Sequence, residues 1–223
     1  MWEDELMYYI LMNDYSSSLI PRYLNAIVDT RKQVNESWDY ESAKNSFPYY
    51  MKDSSCPDDL FLLCRNNIGA LKFSFYHHGV SQIISNEFLN IIKNIKASRY
   101  YSRRLVATSI KDGSVLRDDL SYIYFSGEEK FIDFSNSKLE EDKFGNLIPY
   151  DFVFHDSVSD YDVFSVNDTL LAGFLFVSES MANLVSKVKG IKIVPLDKAL
   201  DDYCIDYKYD LESNRKPIRK KLP

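Results

Sequence analysis

One stretch constrains the fold more than any other. Phe174-Leu175-Phe176-Val177 is a short apolar run, and Ser178-Glu179 follows it directly. Four consecutive apolar residues bounded by polar ones fit a buried strand. Ser178 carries a side-chain oxygen able to accept from the free N–H groups of a first helical turn. Glu179 places negative charge at the positive end of the helix dipole. Met181, Leu184, Val185 and Val188 then recur at i, i+3, i+4 and i+7, one apolar face of a helix. Gly190 suits the positive φ that ends a helix, Ile191 and Ile193 alternate around Lys192, and Pro195 stops an interior strand. The unit reads strand, capped helix, turn, strand.

A weaker copy lies upstream. Gln82-Ile83-Ile84 runs into Ser85, Glu87 falls in the first turn, and Phe88, Ile91, Ile92 and Ile95 mark a buried face. Two such units are too few to imply a repeat array. Around them, Met7–Met12, Phe61–Cys64, Leu71–Phe75, Arg104–Ile110, Leu120–Phe125 and Phe131–Phe134 read as strands, with Asp112-Gly113 a hairpin turn. Phe164 and Val166 alternate before Asn167-Asp168. A helix beginning near Trp2 competes with the first of these strands. Pro21 suits the start of a helix carrying Leu24, Ile27, Val28 and Val34. Residues 35–59 read as irregular. Hairpin-linked strands interspersed with few helices predict an α+β fold with a mixed, largely antiparallel sheet and a few amphipathic helices. Residues 1–205 are expected to form one domain, with a division into two subdomains near 111 as the alternative. Residues 206–223, which hold Arg215, Lys216, Arg219, Lys220 and Lys221, are expected to be a basic flexible tail.

Several chemistries find no support. Among seven glycines there is no GxGxxG or GxxxxGK[ST] loop. Cys56, Cys64 and Cys204 are odd in number and lack CxxC spacing, so neither a disulfide framework nor a zinc site is indicated. Cys64 lies in an apolar strand, where an inert buried thiol is expected. His77-His78 would point to opposite faces of a strand, one imidazole packed and one exposed, rather than converge on a metal. No run reaches the roughly 20 apolar residues of a membrane span, and Met1-Trp2-Glu3-Asp4-Glu5 is acidic where a secretory signal is basic. A cytoplasmic, reduced protein without cofactor is expected.

Charge is segregated along the chain. Between Arg65 and Lys111 eight cations stand against Glu87 alone, whereas fourteen carboxylates between Asp112 and Asp168 meet only Arg117, Lys130, Lys138 and Lys143. The two segments either neutralise each other in the fold or leave an acidic face that steers a basic partner. Tyr100 and Tyr101 interleave with the basic stretch Lys93–Arg104, but a sequence pI near 5.2 argues against direct nucleic-acid binding. A solvated helix face leading into a strand accounts for that stretch. His155-Asp156 with Asp160, Asp162 and Asp168 is the densest polar group. It admits acid–base chemistry, turn capping by Asp, or an inhibitory surface aimed at a cationic active site.

The order of three groups of residues carries a resemblance. Gln82-Ile83-Ile84-Ser85 enters a helix. Arg104-Leu105-Val106-Ala107 is followed by Asp112-Gly113, Tyr122-Ile123-Tyr124 and Ile132-Asp133-Phe134-Ser135. Asp162-Val163-Phe164 precedes Leu175-Phe176-Val177-Ser178-Glu179 and Gly190-Ile191-Lys192-Ile193-Val194-Pro195. Over roughly residues 60–196 this order resembles the immunity proteins of bacterial polymorphic-toxin and contact-dependent inhibition systems, in a group once catalogued as domains of unknown function. The resemblance implies a small intracellular antitoxin that binds one cognate toxin domain, often a nuclease, and has no catalytic residues of its own. A basic cleft in such a toxin would complement the acidic segment. Glu128, Glu129, Asp156, Asp160, Tyr161, Asp162 and Asp168 are the expected toxin contacts, and Ser85 and Ser178 are expected to be helix caps. The alternative is a small hydrolase-like enzyme using His155 and its neighbouring carboxylates. The oligomeric state is left open.

Overall fold

A computed structural model describes residues 7–32, 34, 47–65 and 71–216. The strands are β1 (Tyr8–Asn13), β2 (Ala26–Asp29), β3 (Asp59–Cys64), β4 (Phe75–His78), β5 (Ser81–Ser85), β6 (Tyr100–Ser109), β7 (Val115–Phe125), β8 (Lys138–Glu141), β9 (Leu147–Asp151), β10 (Val163–Phe164), β11 (Leu175–Ser178) and β12 (Ile191–Pro195). The α-helices are α1 (Asn86–Lys93), α2 (Glu179–Val185), α3 (Ala199–Tyr207) and α4 (Leu211–Asn214). The fold is α+β. A six-stranded sheet runs β2-β3-β6-β7-β5-β4, antiparallel except where β3 and β6 pair in parallel. A four-stranded antiparallel sheet runs β10-β11-β1-β12, and β8 and β9 form a separate hairpin.

Period-two alternation explains how the two large sheets meet. Leu175 and Val177 of β11, Leu11 of β1, Phe75 of β4, Ile84 of β5 and Ile123 of β7 share one buried cluster with α1 and α2. The opposite face of the six-stranded sheet packs Leu60, Leu62, Leu105, Leu120 and Tyr122. The opposite face of the four-stranded sheet packs Ile10, Phe164 and Phe176. Full burial of each large apolar side chain supplies roughly 1.5–3 kcal/mol. Asn13 joins the sheets through its amide: His77 N donates to Asn13 Oδ1 (2.7 Å), and Asn13 Nδ2 donates to His77 O (3.1 Å).

Both strand–serine–helix units are present, and their helices pack into the shared cluster. Ser85 Oγ accepts from Phe88 N, and Ser178 Oγ accepts from Met181 N. Gly190 has φ +95°, and a Cβ there would collide with Ile20 and the Phe75 carbonyl. Leu184 departs from the expected apolar face and is 58% exposed.

Other expectations are corrected. The helix expected after Pro21 is the strand β2, because Ile27 and Val28 pair with Leu63 and Leu62 of β3, and Asn25 at φ 47° turns the chain into that pairing. Phe131–Phe134 is not a strand; Ile132 forms one isolated bridge to Phe154 while Phe131 packs its ring on Phe164. Leu71 and Phe73 are buried but precede β4 rather than belonging to it. His77 is buried and stacked on Phe174 (3.8 Å between centroids), and His78 is also largely enclosed, beside Tyr122, rather than exposed. Residues 206–216, expected to be tail, include the end of α3 and all of α4. Tyr203 and Tyr207 pack on Phe174, and the Arg215 backbone forms an isolated antiparallel β-bridge with Asp142. Residues 1–6, where the competing helix near Trp2 would begin, residues 35–46 of the stretch expected to be irregular, and the tail residues 217–223 lie outside the described residues.

Candidate functional site

The seven expected contact residues are gathered around one segment, Ser126–Phe134, that leaves the end of β7. Two clamps place it. Asn167 Nδ2 donates to Ser126 O (3.0 Å), which brings the Asn167-Asp168 turn alongside. On its other side His155 N donates to Phe131 O (2.9 Å) and Asp133 N donates to Val153 O (2.8 Å), which brings up the short 3₁₀ turn Asp156–Asp160. Tyr161, half-buried, sets its ring edge against Phe131 at 5.4 Å.

The carboxylates in this neighbourhood fall into two groups. Glu128 lies 2.8 Å from Lys52 Nζ and 3.3 Å from Arg99 Nη1. The hydrogen bond from Lys52 holds its carboxyl below the usual glutamate range. Glu129 Oε1 accepts from Arg99 N (3.4 Å), and its Oε2 is enclosed without a hydrogen-bond partner. Asp162 accepts from Lys96 N (3.1 Å), Ser178 Oγ (3.1 Å) and Ser180 Oγ (3.2 Å). Its charge therefore sits at the N-terminus of α2, where the helix dipole favours an anion. The chain from Lys96 to Arg99 runs between Asp162 and Glu129 and donates to both. Part of the segregated charge is thus neutralised in place.

Asp156, Asp160 and Asp168 form the second group. All three are exposed, and among the described residues their carboxylates accept no hydrogen bond and meet no cation. They stand on the two turns that flank the Ser126–Phe134 segment.

A groove opens beside Asp168, walled by Lys130, Phe134, Leu147 and Ala172, with a volume of about 570 Å³. Its far wall belongs to the turn between β8 and β9. That turn is organised by Asp142, which is fully buried and was not singled out by its sequence context. Asp142 accepts from Tyr209 Oη (2.6 Å), Phe144 N (2.8 Å), Asn146 N (2.8 Å) and Asn146 Nδ2 (3.0 Å). Burial alone would raise its pKa, but these donors outweigh burial and hold the carboxyl far below the ordinary range. The only signal of this role in the sequence is an Asp three residues ahead of Gly145-Asn146, a turn pattern lost among neighbouring acids.

The geometry gives a hydrolase-like site little to work with. His155 is exposed, and its imidazole makes no hydrogen bond to a described residue. The nearby Asp133 carboxylate is taken by Ser135 N, Asn136 N and Asn136 Nδ2. Cys64 is buried, and burial pushes its thiol up to about 12. Among the described residues no group of three or more His, Cys, Asp or Glu side chains is placed to hold a metal ion. No described helix is long and apolar enough to cross a membrane.

Comparison with protein families matches residues 12–211 to the family described as immunity protein 43. The chain belongs to that family. The match extends past both ends of the stretch that carries the resemblance, so it also takes in β2, α3 and the last two residues of β1. It also contains all seven expected contact residues, the groove and the Asp142 turn. Membership of an immunity-protein family implies that the chain binds and neutralises a cognate toxin. No curated protein matches the chain.

Proposed function

We propose that the chain is a cytoplasmic antitoxin of a bacterial polymorphic-toxin or contact-dependent growth inhibition system, which occludes the active site of its cognate toxin domain without catalysing a reaction itself. The partner is a basic domain, and a nuclease fits best, because its nucleic-acid cleft would be lined by Lys and Arg. The observation that carries this reading is the set of unpaired, exposed carboxylates Asp156, Asp160 and Asp168 around Ser126–Phe134. They act as phosphate mimics: negative charges with no internal partner, presented to a cationic cleft. Tyr161 adds a half-buried ring between them, a side chain suited to interfaces because it packs while its hydroxyl stays wet. Glu128, Glu129 and Asp162 remain candidate contacts of a lesser kind, since each must first give up an internal donor or cation.

Charges at the rim of an interface act mainly on the association rate. The test is stopped-flow or surface-based binding of the purified toxin domain to wild type and to the triple variant D156N/D160N/D168N. The variant should associate about tenfold more slowly near 0.05 M salt, and the difference should fade toward 1 M salt, where the screening length is about 3 Å. Equal association rates with equal salt dependence would refute the acidic-surface reading.

A further inference from the structure

Gly127 and Asn167 carry no charge, yet each directly precedes acids of the candidate surface: Glu128 and Glu129 follow Gly127, and Asp168 follows Asn167. The two residues interlock. Asn167 Nδ2 donates to Ser126 O (3.0 Å), and a Cβ on Gly127 would fall on the atoms of the Asn167 amide. Gly127 also has φ +57°, a conformation that side chains disfavour. The close approach and the turn therefore call for glycine at the same position. Ser126, whose carbonyl the amide grips, is buried and fixed from other sides: its N donates to Arg99 O (2.9 Å), and its Oγ accepts from Glu128 N (3.4 Å). The turn that carries Asn167 is anchored behind by Leu170 N, which donates to Leu147 O (2.9 Å), and by the buried Thr169. A fixed donor thus meets a fixed acceptor.

The 3₁₀ turn that bears Asp156 and Asp160 is joined to the Ser126–Phe134 segment by backbone hydrogen bonds, from His155 N to Phe131 O and from Asp133 N to Val153 O. Such bonds tolerate many side chains. The turn that bears Asp168 is tied to the same segment by a side chain, and an amide suits that place. Aspartate there would turn a carboxylate toward the Ser126 carbonyl, and alanine would leave that carbonyl without this donor. Building on the antitoxin reading, we infer that Asn167 and Gly127 form a positioning pair for the toxin interface. Their interlock sets where Asp168 stands relative to the Ser126–Phe134 segment and the Asp156–Asp160 turn, so that the surface meets the toxin already ordered. Order present before binding lowers the ordering cost of the complex and shows as slower dissociation, whereas charge acts mainly on encounter.

The experiment compares wild type with N167A, N167D, G127A and G127A/N167A and, as a control for stability, with S85A, which removes the cap of α1. The probe is the toxin domain encoded beside the gene, separated from the co-purified complex and refolded. Association and dissociation rates are recorded near 0.05 M and near 1 M salt, together with the thermal unfolding of each free chain. N167A and G127A leave the net charge unchanged, so association should stay within about twofold of wild type, while dissociation rises about fivefold at both salt concentrations. N167D adds a negative charge and loses the donor; it should associate no more slowly than wild type and dissociate like N167A. The double variant should dissociate no faster than the faster single variant, because both substitutions break one interlock. S85A should match wild type in both rates. Dissociation of N167A and N167D within about twofold of wild type, with wild type binding and protecting cells, would overturn the positioning pair and leave the antitoxin reading intact. Additive acceleration in the double variant, or S85A dissociating as fast as N167A at an equal loss of Tm, would overturn the pair as well. Wild type that neither binds nor protects would overturn both readings.

Discussion

Replacing Asp142 by alanine removes the acceptor for four donors at once. Two of them, Tyr209 Oη and Asn146 Nδ2, belong to side chains that join the C-terminal helices and the β8–β9 turn; the other two are the backbone N–H groups of Phe144 and Asn146. A buried donor left without a partner costs about 1–3 kcal/mol. The turn is partly open to water, which can take over the backbone donors, so the loss concentrates on the two side-chain donors and totals about 3 kcal/mol. For a domain of this size each kcal/mol moves Tm by roughly 2–4 °C, which predicts a fall of about 9 °C. Asp142→Asn keeps one acceptor oxygen and loses the charge, and should fall by about half as much. The pH dependence follows from linkage. The folded carboxyl titrates below its unfolded value, so its contribution is complete above about pH 4 and is lost as pH falls below that. Thermal unfolding followed by far-UV circular dichroism should therefore show the full gap between wild type and Asp142→Asn at pH 7 and a narrower one at pH 3.5. A Tm for Asp142→Ala within 2 °C of wild type would refute the hub assignment.

Ser85→Ala and Ser178→Ala should each lower stability by about 1 kcal/mol in chemical denaturation, with toxin affinity almost unchanged; loss of affinity in a folded variant would mean that these serines are contacts rather than caps. Burial, with a smaller contribution from neighbouring His78, pushes the His77 imidazole down to about 3. An unfolded histidine takes up its proton near pH 6.5, so stability should fall with decreasing pH from about 6.5, by up to about 1.4 kcal/mol per unit for this residue. His77→Phe, which retains the stack on Phe174, should flatten that slope; an unaltered slope would place the proton uptake elsewhere.

The parts of the fold that are legible in the sequence are those set by local chemistry. β11, Ser178 and α2 follow from an apolar run, a cap and helical spacing within a dozen residues, and the β6–β7 hairpin follows from Asp112-Gly113. β2 is misread because Leu24, Ile27 and Val28 fall at helical spacing by coincidence, whereas its state is decided by a distant partner, β3. α3 is overlooked because its buried face is made of Tyr203 and Tyr207, whose partner Phe174 lies far back in the chain. The same limit governs the site. Composition marks an acidic region, but only the fold separates Asp162, which accepts from the Lys96 backbone and two serines, from Asp156, Asp160 and Asp168, which accept from nothing described. Asp142 emerges only in three dimensions, as a buried charge within a run of acids that otherwise face water.

The most direct measurement is co-expression of the chain with the toxin domain encoded next to its gene, scored for host survival and for co-purification. Survival together with a stable stoichiometric complex, weakened by D156N/D160N/D168N, is the expected result. Death of the host despite soluble expression of both chains, with no complex recovered, would contradict the assignment of this surface to that toxin.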